Sequence, residues 1–191
     1  MTIMAHQKYI NAVRVSPNDK LLATSSQDKT INIWQASSLQ LKKTLKGHTS
    51  GIWDIQFAPT EQLLVSASGD KLCKVWNIGT GECLATLQGH SAALVKAAWL
   101  NAGLQVATAS VDGIVKVWNF RKQQCQNTFE MHDEKIWAMD FIEMVESNDE
   151  RDSVNRETLR MITGAGDSSV KVWTDSTLEE QVKEQDQKLK Q

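Results

Sequence analysis

The chain has 191 residues, of which 41% are hydrophobic and 23% charged, a composition that fits a folded globular domain and excludes a disordered or fibrous protein. Its formal net charge of −2 favours neither nucleic acid nor a membrane surface as a general partner, and no apolar stretch has the length of about 18 residues that a transmembrane helix needs. Three cysteines without a Cys-x-x-Cys pair predict reduced thiols in an intracellular protein.

A repeat of 42 residues organises the chain. Each histidine is followed, at fixed spacing, by a serine or threonine, an aspartate and a tryptophan. The fourth unit departs only by 13 extra residues before its threonine. The four sets are His6, Thr24, Asp28 and Trp34; His48, Ser66, Asp70 and Trp76; His90, Thr108, Asp112 and Trp118; and His132, Thr163, Asp167 and Trp173. Chance does not keep four residue types in register over four copies, so the sequence predicts one structural unit repeated four times.

Each unit predicts four short antiparallel strands, here named a to d in chain order. Strand a starts a few residues after the histidine, and strand b is a largely apolar run that ends near the serine or threonine. A turn follows, such as Ser26-Gln27-Asp28-Lys29, and strand c alternates polar and apolar residues up to the tryptophan. Strand d then runs to the next unit.

The repeat resembles the WD40 family, whose units have this length and commonly begin with Gly-His, as Gly47-His48 and Gly89-His90 do here. The resemblance implies an all-β fold, a WD40 β-propeller of four consecutive four-stranded blades forming an open arc around a channel. The units span residues 6–47, 48–89, 90–131 and 132–174, within a domain of residues 5–174.

The resemblance also implies a role for the four sets of repeated residues. In the family, the tryptophan indole bonds the serine or threonine, which bonds the histidine, which bonds the aspartate. We expect all four relays to be complete and structural, since a buried polar network stabilises a fold only when each member is satisfied. A hydrolase triad is the alternative, but an active site is built once and this set recurs four times. Blade spacing separates the histidines, so neither a metal nor another cofactor is expected.

The pattern breaks in two places. The extra residues of the fourth unit, around 143–158, contain six acidic and two basic residues and predict a mobile polar loop on one face, with docking or phosphorylation as the alternative to a solvated loop. After Trp173, residues 175–191 predict a short, charged C-terminal helix that starts with a capping box, in place of a fourth strand. We therefore expect a fragment, or a short gene product, of a longer tandem-propeller protein, with exposed apolar faces at its end blades.

The rim of the predicted propeller is the candidate partner surface. Three positions per unit face it: three and five residues after the histidine, and the residue before the aspartate. Two of the twelve are tryptophans, a residue type enriched where protein interfaces bind most tightly. The candidate binding residues are Tyr9, Asn11, Gln27, Trp53, Val95, Val111, Lys135 and Trp137.

Several segments resemble a narrower WD40 group, a tandem-propeller subunit of the UTP-B subcomplex of the small-subunit processome. The segments are 8–24, 51–57, 135–139 and 173–181. This resemblance implies a non-catalytic scaffold in the nucleus and nucleolus that serves ribosome biogenesis and precursor 18S rRNA processing. It implies other UTP-B WD40 subunits as partners, direct or indirect contact with precursor or small nucleolar RNA, and no small-molecule substrate.

Other WD40 adaptors remain as alternatives, such as a ubiquitin-ligase substrate receptor or a signalling scaffold. A receptor for phosphorylated degrons needs clustered arginines to bind phosphate. None of the twelve rim positions is arginine, which counts against that alternative.

Overall fold

The computed structural model describes residues 2–100, 103–146 and 156–174. In these ranges the chain forms four antiparallel sheets, and we call each sheet a blade. No helix in the described ranges is long and apolar enough to cross a membrane.

The first two blades each have four strands in sequence order. Blade 1 consists of β1 (Ile10–Val15), β2 (Leu21–Ser26), β3 (Thr30–Gln35) and β4 (Leu41–Lys46). Blade 2 consists of β5 (Ile52–Phe57), β6 (Leu63–Ser68), β7 (Cys73–Asn77) and β8 (Cys83–Leu87). These strands occupy the places that the alternating sequence pattern predicts for strands a to d.

The last two blades follow the same order. Blade 3 consists of β9 (Leu94–Leu100), β10 (Gln105–Ser110), β11 (Ile114–Asn119) and β12 (Gln124–Glu130). Blade 4 consists of β13 (Ile136–Glu146), β14 (Arg156–Ala165) and β15 (Val170–Thr174). The predicted four strands are present in three blades, and the described part of blade 4 supplies three.

The glycine of each Gly-His pair makes room for the tryptophan of the unit that the paired histidine begins. A side-chain carbon on Gly47 would lie 3.2 Å from the Trp76 ring, and one on Gly89 would lie 3.1 Å from the Trp118 ring. Both glycines also have a φ near 150°, which other residues rarely adopt. The repeated motif is therefore a packing requirement where the chain enters the next blade.

Apolar side chains fill the spaces between successive blades. One cluster lies between blades 1 and 2 and includes Ile31, Ile55 and Trp76. A second lies between blades 2 and 3 around Val75 and Trp99, and a third between blades 3 and 4. Each blade thus packs face to face with its neighbours, and the all-β propeller prediction is confirmed.

The insertion of blade 4 differs from the predicted loop. Strands β13 and β14 continue past the normal blade length and remain paired out to Glu146 and Arg156. Residues 143–146 and 156–158 of the acidic insertion are therefore strand, because they continue the ladder of backbone hydrogen bonds between β13 and β14. The remaining residues 147–155 and the predicted C-terminal helix of 175–191 lie outside the described residues.

Candidate functional site

Blades 1 and 2 contain the full relay of hydrogen bonds. In blade 2, the Trp76 indole donates to the Ser66 hydroxyl at 2.9 Å, and Ser66 Oγ lies 2.7 Å from His48 Nε2. His48 Nδ1 lies 2.8 Å from an Asp70 carboxylate oxygen. In blade 1, the Trp34 indole donates to Thr24 at 3.0 Å, and Thr24 Oγ1 lies 2.8 Å from His6 Nε2. His6 Nδ1 lies 3.0 Å from an Asp28 carboxylate oxygen.

The geometry assigns the protons of this relay. An ionised carboxylate only accepts hydrogen bonds, so His48 Nδ1 donates to Asp70, and in this tautomer Nε2 accepts from the Ser66 hydroxyl. Partial burial raises the pKa of Asp70, but hydrogen bonds from His48 and the Thr49 amide lower it to about 2. The aspartate thus stays ionised and holds the loop before β5 to the turn after β6.

The third relay lacks its histidine–aspartate bond, which corrects the expectation of four complete sets. Trp118 and His90 both bond Thr108, at 2.8 and 2.7 Å. However, His90 Nδ1 is buried without a partner among the described residues. Asp112 instead accepts hydrogen bonds from the hydroxyls of Ser91, at 2.8 Å, and Ser110.

This difference changes the titration of His90. Burial, followed by the positive charge of Lys116, lowers the pKa of His90 from 6.5 to about 4, while Asp112 raises it. Partial burial raises the pKa of Asp112, but the hydrogen bonds from Ser110 and Ser91 lower it below its ordinary value. The imidazole is therefore neutral, and the carboxylate is ionised, at neutral pH.

The fourth relay lacks a different bond. His132 bonds Asp167 and Thr163, each at 2.8 Å. The Trp173 indole nitrogen is buried and has no hydrogen-bond partner in the described part of the chain. Hydrogen bonds from His132 and Ser169 lower the pKa of Asp167.

The relays favour a structural role for these residues. The hydroxyl groups of Ser66, Thr108 and Thr163 belong to side chains that are at most 1% exposed, so a substrate cannot reach them. Within the described ranges, no group of three His, Cys, Asp or Glu side chains is placed to hold a metal ion.

The rim residues five positions after each histidine share one backbone feature. Asn11, Trp53, Val95 and Trp137 are each skipped in the pairing of their strand with its neighbour, which makes each a β-bulge. A bulge rotates a side chain out of the alternation of the strand. The fold thereby turns all four of these residues toward the same edge of their blades.

The other two rim positions of each blade are joined by a backbone hydrogen bond. The amide of Gln27 donates to the carbonyl of Tyr9, and the equivalent bonds follow in blades 2, 3 and 4 at 2.8–2.9 Å. In the blades with a rim tryptophan, the residue before the aspartate is a glycine. A side-chain carbon on Gly69 would lie 3.3 Å from the Trp53 indole nitrogen, so the glycine makes room for this indole.

Exposure divides the predicted rim residues. Tyr9 is 85% exposed, Trp137 57% and Trp53 41%, and Lys135 Nζ lies 5.9 Å from the centre of the Trp137 ring. Val95 is buried, which corrects its assignment to the partner surface: the bulge aims it toward the edge, but neighbouring residues cover it.

The rim residues Asn11 and Gln27 are held by hydrogen bonds within the chain. Asn11 donates to the Ile52 carbonyl at 2.8 Å and to Gln27 Oε1 at 3.4 Å. Gln27 and Val111 are half-buried. Tyr9, Trp53, Lys135 and Trp137 therefore form the accessible part of the rim, which we call the aromatic rim.

A chain of charges across three blades was not predicted. The buried carboxylate of Asp54 accepts a hydrogen bond from Arg14 of blade 1 at 2.9 Å and lies 3.5 Å from Lys96 of blade 3. Burial raises the pKa of Asp54, and the two cations oppose this rise. Asp54 and Lys96 each lie six residues after the histidine of their unit, so their equivalent positions in the repeat could have indicated that they lie on neighbouring strands.

Relatives match this chain over short segments. The match is 52% identical over 50 residues to U3 small nucleolar RNA-associated protein 13 of Saccharomyces cerevisiae and 54% identical over 48 residues to transducin beta-like protein 3 of Bos taurus. The two matches cover 26% and 25% of this chain and 6% of each relative. A match to target of rapamycin complex subunit LST8-1 of Arabidopsis thaliana is 44% identical over 46 residues, 24% of this chain and 15% of that protein.

Solved structures match nearly the whole chain. The computationally designed Ika4 protein has a TM-score of 0.71 and 28% identity, over 91% of this chain and 95% of Ika4. The computationally designed Ika8 protein has a TM-score of 0.70 and 29% identity, over 88% of this chain and 46% of Ika8.

A family model agrees with the repeat over most of the sequence. The model described as WD domain, G-beta repeat, matches residues 1–35, 39–77, 81–119 and 123–174. These matches contain the tryptophans next to the last residue of strand c in each blade, which are Trp34, Trp76, Trp118 and Trp173. The chain therefore belongs to the WD40 family.

Proposed function

We propose that the chain is a non-catalytic scaffold for protein–protein assembly in the nucleolar small-subunit processome. The local identity of about half to U3 small nucleolar RNA-associated protein 13 and transducin beta-like protein 3 is the observation that supports this process. The matches to these relatives cover a quarter of the chain, so the process is inferred from a part of the sequence.

The aromatic rim is the surface we assign to the protein partner. Trp53 and Trp137 are large, exposed and held at bulges, and each contributes apolar area at little conformational cost because the backbone already fixes its direction. Lys135 beside Trp137 adds one positive charge. The partner surface that fits this rim is apolar with an acidic border, as another protein subunit can provide.

RNA contact by this rim is the weaker alternative within the same assembly. Binding to a phosphate backbone needs several arginines or lysines in one row. The aromatic rim contains one lysine and no arginine, so contact with precursor rRNA or small nucleolar RNA through partner proteins fits it better. The local identity to U3 small nucleolar RNA-associated protein 13 and transducin beta-like protein 3 supports other UTP-B WD40 subunits as the partners and a nuclear and nucleolar location.

A signalling scaffold is the second candidate, supported by the match to target of rapamycin complex subunit LST8-1. That match is less identical than the first two, and it covers a similar share of this chain. The two candidates predict different partners and different places in the cell, so one purification distinguishes them.

The deciding experiment combines location, partners and RNA processing. If the proposal holds, the tagged protein concentrates in the nucleolus and co-purifies with processome subunits. Its depletion then leaves unprocessed precursor of 18S rRNA while large-subunit RNA matures. Normal 18S processing after depletion would contradict the proposal, and recovery of target of rapamycin complex subunits would support the signalling scaffold.

Substitutions then test the rim itself. The double variant Trp53→Ala/Trp137→Ala should lose the partner and reproduce part of the processing defect, since each exposed anchor contributes about 2 kcal/mol or more to binding. Leu104→Ala is the matched control, because Leu104 is 64% exposed and precedes β10 at the blade end opposite to the rim. Equal loss of the partner in both variants would exclude the aromatic rim.

A further inference from the structure

The two outer faces of the arc are uncovered within the described residues. The face of blade 1 that points away from blade 2 contains Val13 and Val15, which are 49% and 54% exposed. The face of blade 4 that points away from blade 3 contains Val170 and Val172, which are 72% and 59% exposed. We call these the first face and the last face.

Pairing across the strands defines the rest of each face. Residues directly opposite each other in neighbouring strands point to the same side of a sheet. On the first face, Val15 is opposite Leu22, and Leu22 is opposite Trp34, which is already buried within the chain. On the last face, Asp140, Ile162 and Val172 are opposite one another.

These two faces are the two halves of an interface that the chain already makes internally. In the repeat register, the first-face residues Val13 and Val15 correspond to Ile55 and Phe57 of blade 2, which are 0% and 6% exposed. The last-face residues Val170 and Val172 correspond to Ile31 and Ile33 of blade 1, which are 0% and 1% exposed. Ile31, Ile33, Ile55 and Phe57 pack together in one buried cluster between blades 1 and 2.

We infer that a second copy of this chain covers both faces, with the last face of each copy packed on the first face of the other. The apolar residues on both sides correspond to those of an interface already present three times in the fold. Head-to-tail contacts of this kind give a closed ring when the rotations from one copy to the next add up to one full turn. Two arcs of four blades supply the ring, and this arrangement does not depend on the proposed function.

The length of Ika8 leaves room for two arcs of this kind in one chain. Because 88% of this chain matches 46% of Ika8 with a TM-score of 0.70, the Ika8 chain is about twice as long as the arc it matches. A propeller-like chain therefore exists with room for two such arcs.

One polar contact adds specificity to the apolar one. Between blades 2 and 3, Gln56 Oε1 accepts a hydrogen bond from the Trp99 amide at 2.7 Å. Asp140 has the register position of Gln56, and Val15 has that of Trp99. Across the contact between copies, we expect the Asp140 carboxylate to accept the Val15 amide of the second copy.

Sedimentation of the whole chain and of two face variants tests the inference. The wild-type chain should sediment as a dimer. Val13→Asp/Val15→Asp blocks the first face and Val170→Asp/Val172→Asp blocks the last face, so each variant alone should be monomeric at the same concentration. An equal mixture should form a heterodimer, because one first face and one last face remain free.

Several results would overturn the inference. One is a wild-type chain that sediments as a monomer. A second is a variant that stays dimeric alone, which would mean that like faces meet. A third is a ladder of larger species, which would mean that the ring does not close. Circular dichroism shows that the variants fold, which the exposure of all four valines favours. Asp140→Lys should weaken the dimer by about a hundredfold, because each of the two contacts loses a hydrogen bond to a charged group worth about tenfold. Leu104→Ala, which lies on neither face, should leave it unchanged.

Discussion

Blades 2 and 3 have the same repeated residues but different hydrogen bonds. In blade 2, His48 Nδ1 bonds Asp70 at 2.8 Å. In blade 3, Asp112 bonds Ser91 and Ser110, and His90 Nδ1 is left without a partner among the described residues. One sequence pattern therefore gives a complete relay in one blade and an open one in the next.

The neighbours of the pattern explain the difference. In blade 2 the residue after the histidine, Thr49, gives its backbone amide to the aspartate. In blade 3 the residue after the histidine, Ser91, gives its side-chain hydroxyl, and the carboxylate of Asp112 turns toward it. A hydroxyl and an imidazole N–H compete for one carboxylate at similar energies, so a neighbouring side chain decides which one bonds.

Acid should reveal the open relay more strongly than any single substitution. The unfolded His90 takes up a proton as the pH falls below about 6.5, whereas the folded one stays neutral down to about 4. The unfolded state thus binds more protons between pH 6.5 and 4. The free energy of unfolding therefore decreases by up to about 3 kcal/mol as the pH is lowered through this window. Chemical unfolding at several pH values measures this slope.

The control variant removes the titrating group and keeps the Thr108 contact. In His90→Gln, the side-chain oxygen can still accept the Thr108 hydroxyl, and the slope between pH 6.5 and 4 should flatten. Asp70, whose pKa is lowered to about 2, titrates below this window. The stability that its ionised carboxylate contributes is present above about pH 4 and is lost toward pH 2. An unchanged slope in His90→Gln would assign the acid sensitivity to another group.

Aspartate substitutions compare the two blades directly. Asp70→Ala leaves His48 Nδ1 buried without a partner, so it should lower the free energy of unfolding by about 1–3 kcal/mol. Asp112→Ala should cost about 1 kcal/mol less, since His90 has no aspartate bond to lose. Urea unfolding of both variants at pH 7 checks the order. Equal costs would mean that turn hydrogen bonds, and not the histidine contact, carry the effect of both aspartates.

The sequence predicted the framework of the fold because that framework is set by local and repeated forces. Alternating apolar residues, Gly-His pairs and the recurring tryptophans sufficed for the four-blade order, and the WD40 assignment is confirmed. The rim bulges at Trp53 and Trp137 follow from the same register. Features that keep the period are thus readable from one sequence.

Features that depend on competing contacts could not be predicted from the sequence. The state of His90 depends on the rotamer of Asp112, and the burial of Val95 depends on side chains around it. The insertion was predicted as a loop from its charge, although Met144 and Val145 lie in β13, which continues into the insertion. In each case the period fixes the position of a residue but not the partner that it selects.

Tryptophan substitutions compare blade 2 with blade 4. The Trp76 indole donates to Ser66 at 2.9 Å, whereas the buried Trp173 nitrogen has no partner among the described residues. Trp→Phe removes the N–H group and part of the ring in both blades. Trp76→Phe should therefore cost about 1 kcal/mol more than Trp173→Phe in thermal or urea unfolding. A larger cost for Trp173→Phe would show that its indole bonds a group outside the described residues.

The smallest expected effect comes from restoring the relay of blade 3. Ser91→Ala removes one hydroxyl that holds Asp112, and the carboxylate can then turn to His90 Nδ1 as Asp70 does to His48. The pKa of His90 should rise from about 4 toward its ordinary value, and stability at pH 5 should increase by less than about 1 kcal/mol. NMR titration of the His90 ring measures the pKa. Thr49→Ala is the matched control in blade 2, since the group bonded to Asp70 is the backbone amide, which the variant keeps. An unchanged His90 pKa would show that Ser110 alone holds Asp112 away from the histidine.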